Sequence, residues 1–212
     1  MTDKEFQELQ IIEDSTWSLE DPEQRKEKSM RESARYPLLA KQMGLTRCID
    51  TSEMLVYDIG CGPVNGGVSS VIQCAERICI DPNRDAYSKY YNTHRYLGKK
   101  AEELKSMLMI PDLIITTNCV DHFQDPMQFL QDLNDHMKYG AYWAHHHAID
   151  NAINHPHPAH KFNLNEEIVN KMMNKNFELV WYMNYKEDGL VYSWLKEPSF
   201  CQLWRRVNHP KL

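Results

Sequence analysis

The chain contains no run approaching the ~20 uninterrupted apolar residues of a membrane-spanning helix, and its opening MTDKEFQELQ has no signal-peptide apolar core. A soluble, cytoplasmic protein is therefore expected. Positive charge is in deficit, with Lys+Arg 24 against Asp+Glu 30 and a net charge of −6, which weighs against a polyanionic partner such as nucleic acid. The six cysteines, at 48, 61, 74, 79, 119 and 201, form no Cys-x-x-Cys pair, so they are read as reduced and mostly buried. No repeat or low-complexity tract stands out. At 212 residues the chain is about one domain long, enough for a single layered α/β structure. Glycine is scarce too: eight in all, yet Gly60, Gly62, Gly66 and Gly67 fall within eight residues.

That concentration marks the stretch Met54 to Gly67, MLVYDIGCGPVNGG. Met54 to Ile59 reads as a short apolar strand, and the glycines allow the chain to turn sharply off it. A strand, such a loop and a helix start together make a cradle whose N–H groups point at whatever docks there. A phosphate-binding P-loop would need a lysine after its last glycine, and none follows Gly66 or Gly67. The dinucleotide pattern Gly-x-Gly-x-x-Gly fails at Asn65. What remains is Asp58-x-Gly60-x-Gly62. This resembles motif I of the class I S-adenosylmethionine (SAM) dependent methyltransferases, with Val64 where the family carries a third glycine.

The resemblance implies that Asp58 lies near the amino end of SAM and that the loop Gly60, Cys61, Gly62 passes under its methionine and ribose. Asp81 stands 19 residues beyond Gly62, ending the apolar run Arg77 to Ile80 and preceding Pro82. In a βαβ unit that interval returns the chain to the neighbouring strand's carboxyl end, where a carboxylate can accept both ribose hydroxyls; the same carboxylate would serve NAD. Gly98-Lys99-Lys100-Ala101 is similar to the family's adenine-holding third motif, with Lys100 where an acidic residue is usual, so a backbone amide near Ala101 is the expected contact. Asn118-x-x-x-His122, followed by Asp125-Pro126, resembles the segment after the fourth strand of small-molecule methyltransferases. The residues thus assigned to the cofactor are Asp58, Gly60, Cys61, Gly62, Asp81, Pro82, Ala101 and Asn118.

The fold implied is α/β: a Rossmann-like, seven-stranded, mostly parallel sheet with an antiparallel terminal hairpin and helices on both faces. Residues 46–212 form the SAM-binding domain, and residues 1–45 a helical lid or cap. Asp21 and Pro22 open a charged helix running to Gly44, with Pro37 as a kink. It is either a solvated helix packed on the sheet or a lid over the cofactor around Trp17 to Tyr36. Val68, Val71, Ile72 and Ala75 have helical spacing, and a helix carrying Tyr87, Tyr90 and Tyr91 precedes a weak strand at Arg95 to Leu97. Pro111 to Thr117 is a buried strand, and Pro126 to Gly140 a helix with Leu130, Leu133 and Met137 on one side. Ala141 to His147 is a fifth strand with His145 and His147 on one face and His146 on the other. After a capped helix over Ile168 to Met173 come strands at Phe177 to Tyr185 and Leu190 to Leu195 about an Asp188-Gly189 turn, then a last strand from Ser199.

Six of the ten histidines lie between His145 and His160. Metal binding would need two or three to converge with a carboxylate such as Asp150, but no fixed ligand spacing is present. The resemblance instead places His160-Lys161-Phe162 in the acceptor pocket. Methyl transfer requires donor and acceptor to be aligned and often a base for the nucleophile's proton, for which His122, His145 and His160 are the candidates. The expected activity is methyl transfer to an oxygen or nitrogen of a small-molecule acceptor. No Asn/Asp-Pro-Pro-Tyr/Phe segment of DNA base methylation and no Lys-Asp-Lys-Glu set of ribose methylation is recognisable. A non-catalytic SAM- or nucleotide-binding module, an NAD-linked enzyme and a metal-dependent hydrolase are the alternatives.

Overall fold

The computed structural model describes residues 1–93, 95–148, 162, 164–184 and 199–208. Seven strands form one sheet: β1 (Leu55–Ile59), β2 (Glu76–Ile80), β3 (Tyr96–Leu97), β4 (Leu113–Thr117), β5 (Tyr142–Ala148), β6 (Phe177–Asn184) and β7 (Ser199–Arg206). Their order is β3-β2-β1-β4-β5-β7-β6. Pairings among β1 to β5 are parallel, and β7 runs antiparallel to both β5 and β6. The chain leaves β1 toward β2 and β3, then crosses back to β4 on the other side of β1. That reversal opens a crevice at the carboxyl ends of β1 and β4, where open α/β sheets take ligands. The terminal antiparallel pair is β6 with β7; the Asp188-Gly189 turn and the expected strand at Leu190 to Leu195 lie outside the described residues.

β4, LIITT, is flanked on both sides by strands and covered on both faces, so its apolar residues need no alternation. One core holds Tyr57, Ile114, Phe129, Leu133, Trp143 and Trp204 under α5 (Pro126–His136). The opposite core holds Val56, Leu113, Ile115, Ala144 and Leu203.

That second face departs from the sequence reading. The helix expected from Val68, Val71, Ile72 and Ala75 is a single 3-10 turn, Val68–Val71, after which Ile72 is already extended. Only residues 68–75 separate the glycine loop from β2. The Ser69 and Ser70 hydroxyls donate to the Gly66 and Gly67 carbonyls, short side-chain bonds that compete with helix propagation. The sheet face left bare is covered from the N-terminal segment: Leu39, Ala40, Met43 and Leu45, in and just after α3 (Tyr36–Gln42), pack on it.

The long helix expected from Asp21 to Gly44 is likewise two helices. α2 (Pro22–Ser33), capped by Asp21, buries no residue, and α3 restarts with Pro37 in its first turn. A proline has no N–H and clashes with the preceding turn, so Pro37 opens a helix rather than kinking one. Ahead of them, α1 (Asp3–Trp17) is closed by a Thr2/Glu5 capping box. The tyrosine-rich helix shrinks to α4 (Arg84–Tyr87). α6 (Glu166–Met173) lies beside α5, where Asn134 donates to the Met172 carbonyl. Among the described residues no helix is long and apolar enough to cross a membrane.

Candidate functional site

A cavity of about 500 Å³ opens at the carboxyl edge of the sheet, across the β1/β4 crevice. Its floor is the glycine loop. Gly62 sits at φ +62 with nothing within 4 Å of where a Cβ would stand, so the loop's bare backbone faces open space. Gly67 answers a different demand: at φ +67 a Cβ would land 2.7 Å from Asp58 Oδ2. The chain passes that close because Asp58 Oδ2 accepts the Ser69 N–H at 2.8 Å. Asp58 is 1% exposed, and burial lifts its carboxyl to about 7 against the pull of the Ser69 bond.

Asp81 follows directly on β2 at the neighbouring wall. Its Oδ2 accepts the Gly62 N–H and its Oδ1 the Asn83 N–H, both at 3.0 Å, which ties the glycine loop to β2. Burial raises it to about 6. Cys61, Pro82 and Ala101 also line the cavity, and burial pushes the Cys61 thiol up. Beside Ala101, Lys100 Nζ reaches Asp3 Oδ1 at 3.0 Å and Gln124 Oε1 at 2.8 Å, fastening the start of α1 over that end of the cavity.

Asn118, at the β4 terminus, adopts φ +48. Its N–H donates to the His146 carbonyl at 2.8 Å and its Oδ1 accepts the Ala148 N–H at 3.1 Å. It clips the ends of β4 and β5 together while lining the cavity. α1 forms the roof with Phe6, Gln10, Glu13 and Trp17, and the α2–α3 junction adds Glu32, Arg35 and Tyr36. The roof is pinned by polar contacts: the Asn83 side chain donates to the Gln10 carbonyl, and the Tyr91 hydroxyl to the Trp17 carbonyl.

The three histidines nominated as bases are dispersed. His122 lines the cavity, with Nδ1 3.4 Å from Glu13 Oε1 and Nε2 3.7 Å from Asp121 Oδ1. Burial opposes its charge, but Glu13, Asp121 and Asp81 together outweigh that and raise its pKa. His145 is fully buried on the other side of β5, stacked 4.8 Å from Trp143 and hydrogen-bonded through Nδ1 to Thr116 Oγ1 at 2.9 Å; it does not line the cavity. His160 lies outside the described residues.

Two residues that sequence reasoning passed over do face the cavity. Glu13 has no sequence signal: it reaches His122 only because α1 folds across the crevice. His146 had one, since strand alternation already set it opposite His145 and His147. It is 3% exposed, lines the cavity, and burial lowers it to about 3, so its imidazole is neutral. Among the described residues no group of three or more His, Cys, Asp or Glu could hold a metal ion.

No family model matches the chain, and no curated protein matches it. Solved structures do. The N-methyltransferase NodS from Bradyrhizobium japonicum WM9 superposes with a TM-score of 0.60 at 14% identity, over 84% of this chain and 97% of that one. The same protein in complex with S-adenosyl-L-homocysteine (SAH) gives 0.60 over 84% and 88%. A SAM-dependent methyltransferase from Archaeoglobus fulgidus gives 0.57 at 18% identity, over 81% and 94%. Identities this low carry the fold alone: the chain has the class I SAM-dependent methyltransferase fold.

Proposed function

We propose that this chain, built on the class I methyltransferase fold, binds SAM and transfers its methyl group to an oxygen or nitrogen of a small-molecule acceptor. The observation that carries the reading is the bare Gly62 backbone facing a cavity at the β1/β4 crevice, between the carboxylates of Asp58 and Asp81. The residues present fit the cofactor. Asp81 would hold the ribose hydroxyls, Asp58 would lie toward the amino end, and Gly60, Cys61 and Gly62 would run beneath. Pro82 and the backbone at Ala101 would flank the adenine side, and Asn118 would border the reacting end. SAM supplies a methyl group already activated on a sulfonium. The protein's part is then to orient the acceptor in line and exclude water. The roof formed by α1 suits that part, making residues 1–45 a cap over residues 46–212.

Calorimetric titration with SAM and with SAH, NAD serving as control, tests the reading. Binding of the SAM pair that is lost in Asp81→Ala supports it. NAD binding without SAM would make the chain an NAD-linked protein. SAM binding with no transfer to any acceptor would make it a binding module, the outcome to which Val64 at the third-glycine position points.

A further inference from the structure

His146 is a buried side chain with both ring nitrogens unpartnered among the described residues. A buried polar atom left unsatisfied is costly, so two on one imidazole, at the wall of a cavity, call for a ligand. His145 also has a nitrogen unpartnered among the described residues, but that ring packs against Trp143, His147 and Phe200 and does not line the cavity. His146, by contrast, lines the cavity.

The position in the sheet says which ligand. The residues assigned to SAM stand mainly at the ends of β1, β2 and the segment after β3. His146 and Ala148 stand at the end of β5, across β4 from β1. With strands about 4.8 Å apart, β5 is about 10 Å from β1. A nucleoside anchored at Asp81 and running over Gly62 toward the crevice leaves the β4/β5 side of the cavity to a second molecule. Asn118 marks the border, and His146 is the titratable side chain that β5 contributes to the cavity lining.

Resting on the methyltransferase reading, we infer that His146 receives the methyl acceptor, that the acceptor's nucleophile is a hydroxyl, and that the imidazole takes the proton the hydroxyl loses. As the oxygen–methyl bond forms and the sulfur–methyl bond breaks, the positive charge leaves sulfur and would reside on an oxonium. The proton carries it to the imidazole, giving a neutral ether, neutral SAH and an imidazolium. No net charge is created in the cavity. A methylated oxonium is a far stronger acid than any imidazolium, so even an imidazole weakened by burial accepts its proton. An amine attacking through its free lone pair ends as a stable ammonium and needs no such partner.

The test compares the wild type with His146→Ala and His146→Gln. SAH affinity, by calorimetry, should stay within about twofold in both variants. Long-range 1H–15N spectra of the wild-type SAH complex should show a neutral His146 ring without a bond to SAH. Methyl-labelled SAM is then offered with glucose, glycerol and catechol, and with glucosamine and ethanolamine as amine counterparts. Labelling of a hydroxyl probe should fall ~100-fold or more in kcat in both variants, the range of general-base contributions, because glutamine hydrogen-bonds but cannot take a proton. A tenfold loss of SAH affinity would place His146 on the cofactor and overturn the inference. So would undiminished labelling in His146→Ala, restoration by His146→Gln, or labelling confined to the amines. Absence of SAH binding in the wild type would sink the methyltransferase reading itself. SAH binding with no probe labelled would withdraw the acceptor role.

Discussion

Asp58→Asn separates the cost of burying the β1 carboxylate from its proposed use. In the folded protein this carboxyl sits at about 7, pushed there mainly by burial; in the unfolded chain it titrates near ~3.9. The sign follows from linkage. A raised folded-state pKa means the folded state binds the proton more tightly, so the group costs nothing below ~4. The cost accrues between about 4 and 7 and is complete above about 7. Three units at ~1.4 kcal/mol each set its size at about 4 kcal/mol. Asparagine keeps an oxygen for the Ser69 N–H, which Asp58 holds at 2.8 Å, and cannot ionise. Urea unfolding followed by tryptophan fluorescence should therefore show Asp58→Asn more stable than wild type by about 2–4 kcal/mol at pH 8, with the difference vanishing near pH 4. Under the proposed function SAM affinity should fall at the same time, because the carboxylate proposed to lie toward the amino end is lost. A variant less stable than wild type at pH 8, or a stability difference equal at pH 4 and 8, would refute the claim that Asp58 is strained by burial.

Two glycine variants should divide fold from site. Gly62→Ala meets open space, so it should lose only about 1 kcal/mol to its positive φ while SAM binding drops steeply; calorimetry against thermal unfolding reads both. Gly67→Ala collides with Asp58 Oδ2 and should destabilise more than Gly62→Ala in the same unfolding assay. Glu13→Gln removes the partner that raises His122. The stabilisation of a raised histidine is full below its unfolded value of ~6.5 and is lost as pH rises through the folded value. The variant should therefore be less stable than wild type near pH 5.5 and indistinguishable at pH 9, with the His122 ring titrating lower by NMR. Asp81→Ala frees the Gly62 N–H and should abolish SAM binding with little change in secondary structure by circular dichroism.

Where sequence reasoning went astray, short segments were at fault. Val68, Val71, Ile72 and Ala75 carry helical spacing, yet Val71 is an exposed residue of a four-residue turn. Periodicity records what could face a core, and here α3, from earlier in the chain, had already taken that face. Pro37 was legible as an interruption, although only the packed structure shows that it starts a helix. The histidines show the same division. Alternation along β5 assigned faces correctly, and the stacked rings of His145 and His147 bear that out; which face lines the cavity is not a property of the strand.

By itself the sequence determined the strand-and-glycine cradle, the acidic ends of β1 and β2, and the asparagine after β4. These follow from local rules: glycine where a Cβ is barred, and apolar runs where a strand is covered on both faces. Tertiary structure alone decided that α1 roofs the cavity and brings Glu13 to His122. It also decided that α3 substitutes for a missing crossover helix, and that His146 rather than His145 lines the cavity. Such choices depend on contacts between residues more than a hundred positions apart, such as Glu13 with His122, and no local pattern records which distant surface will arrive.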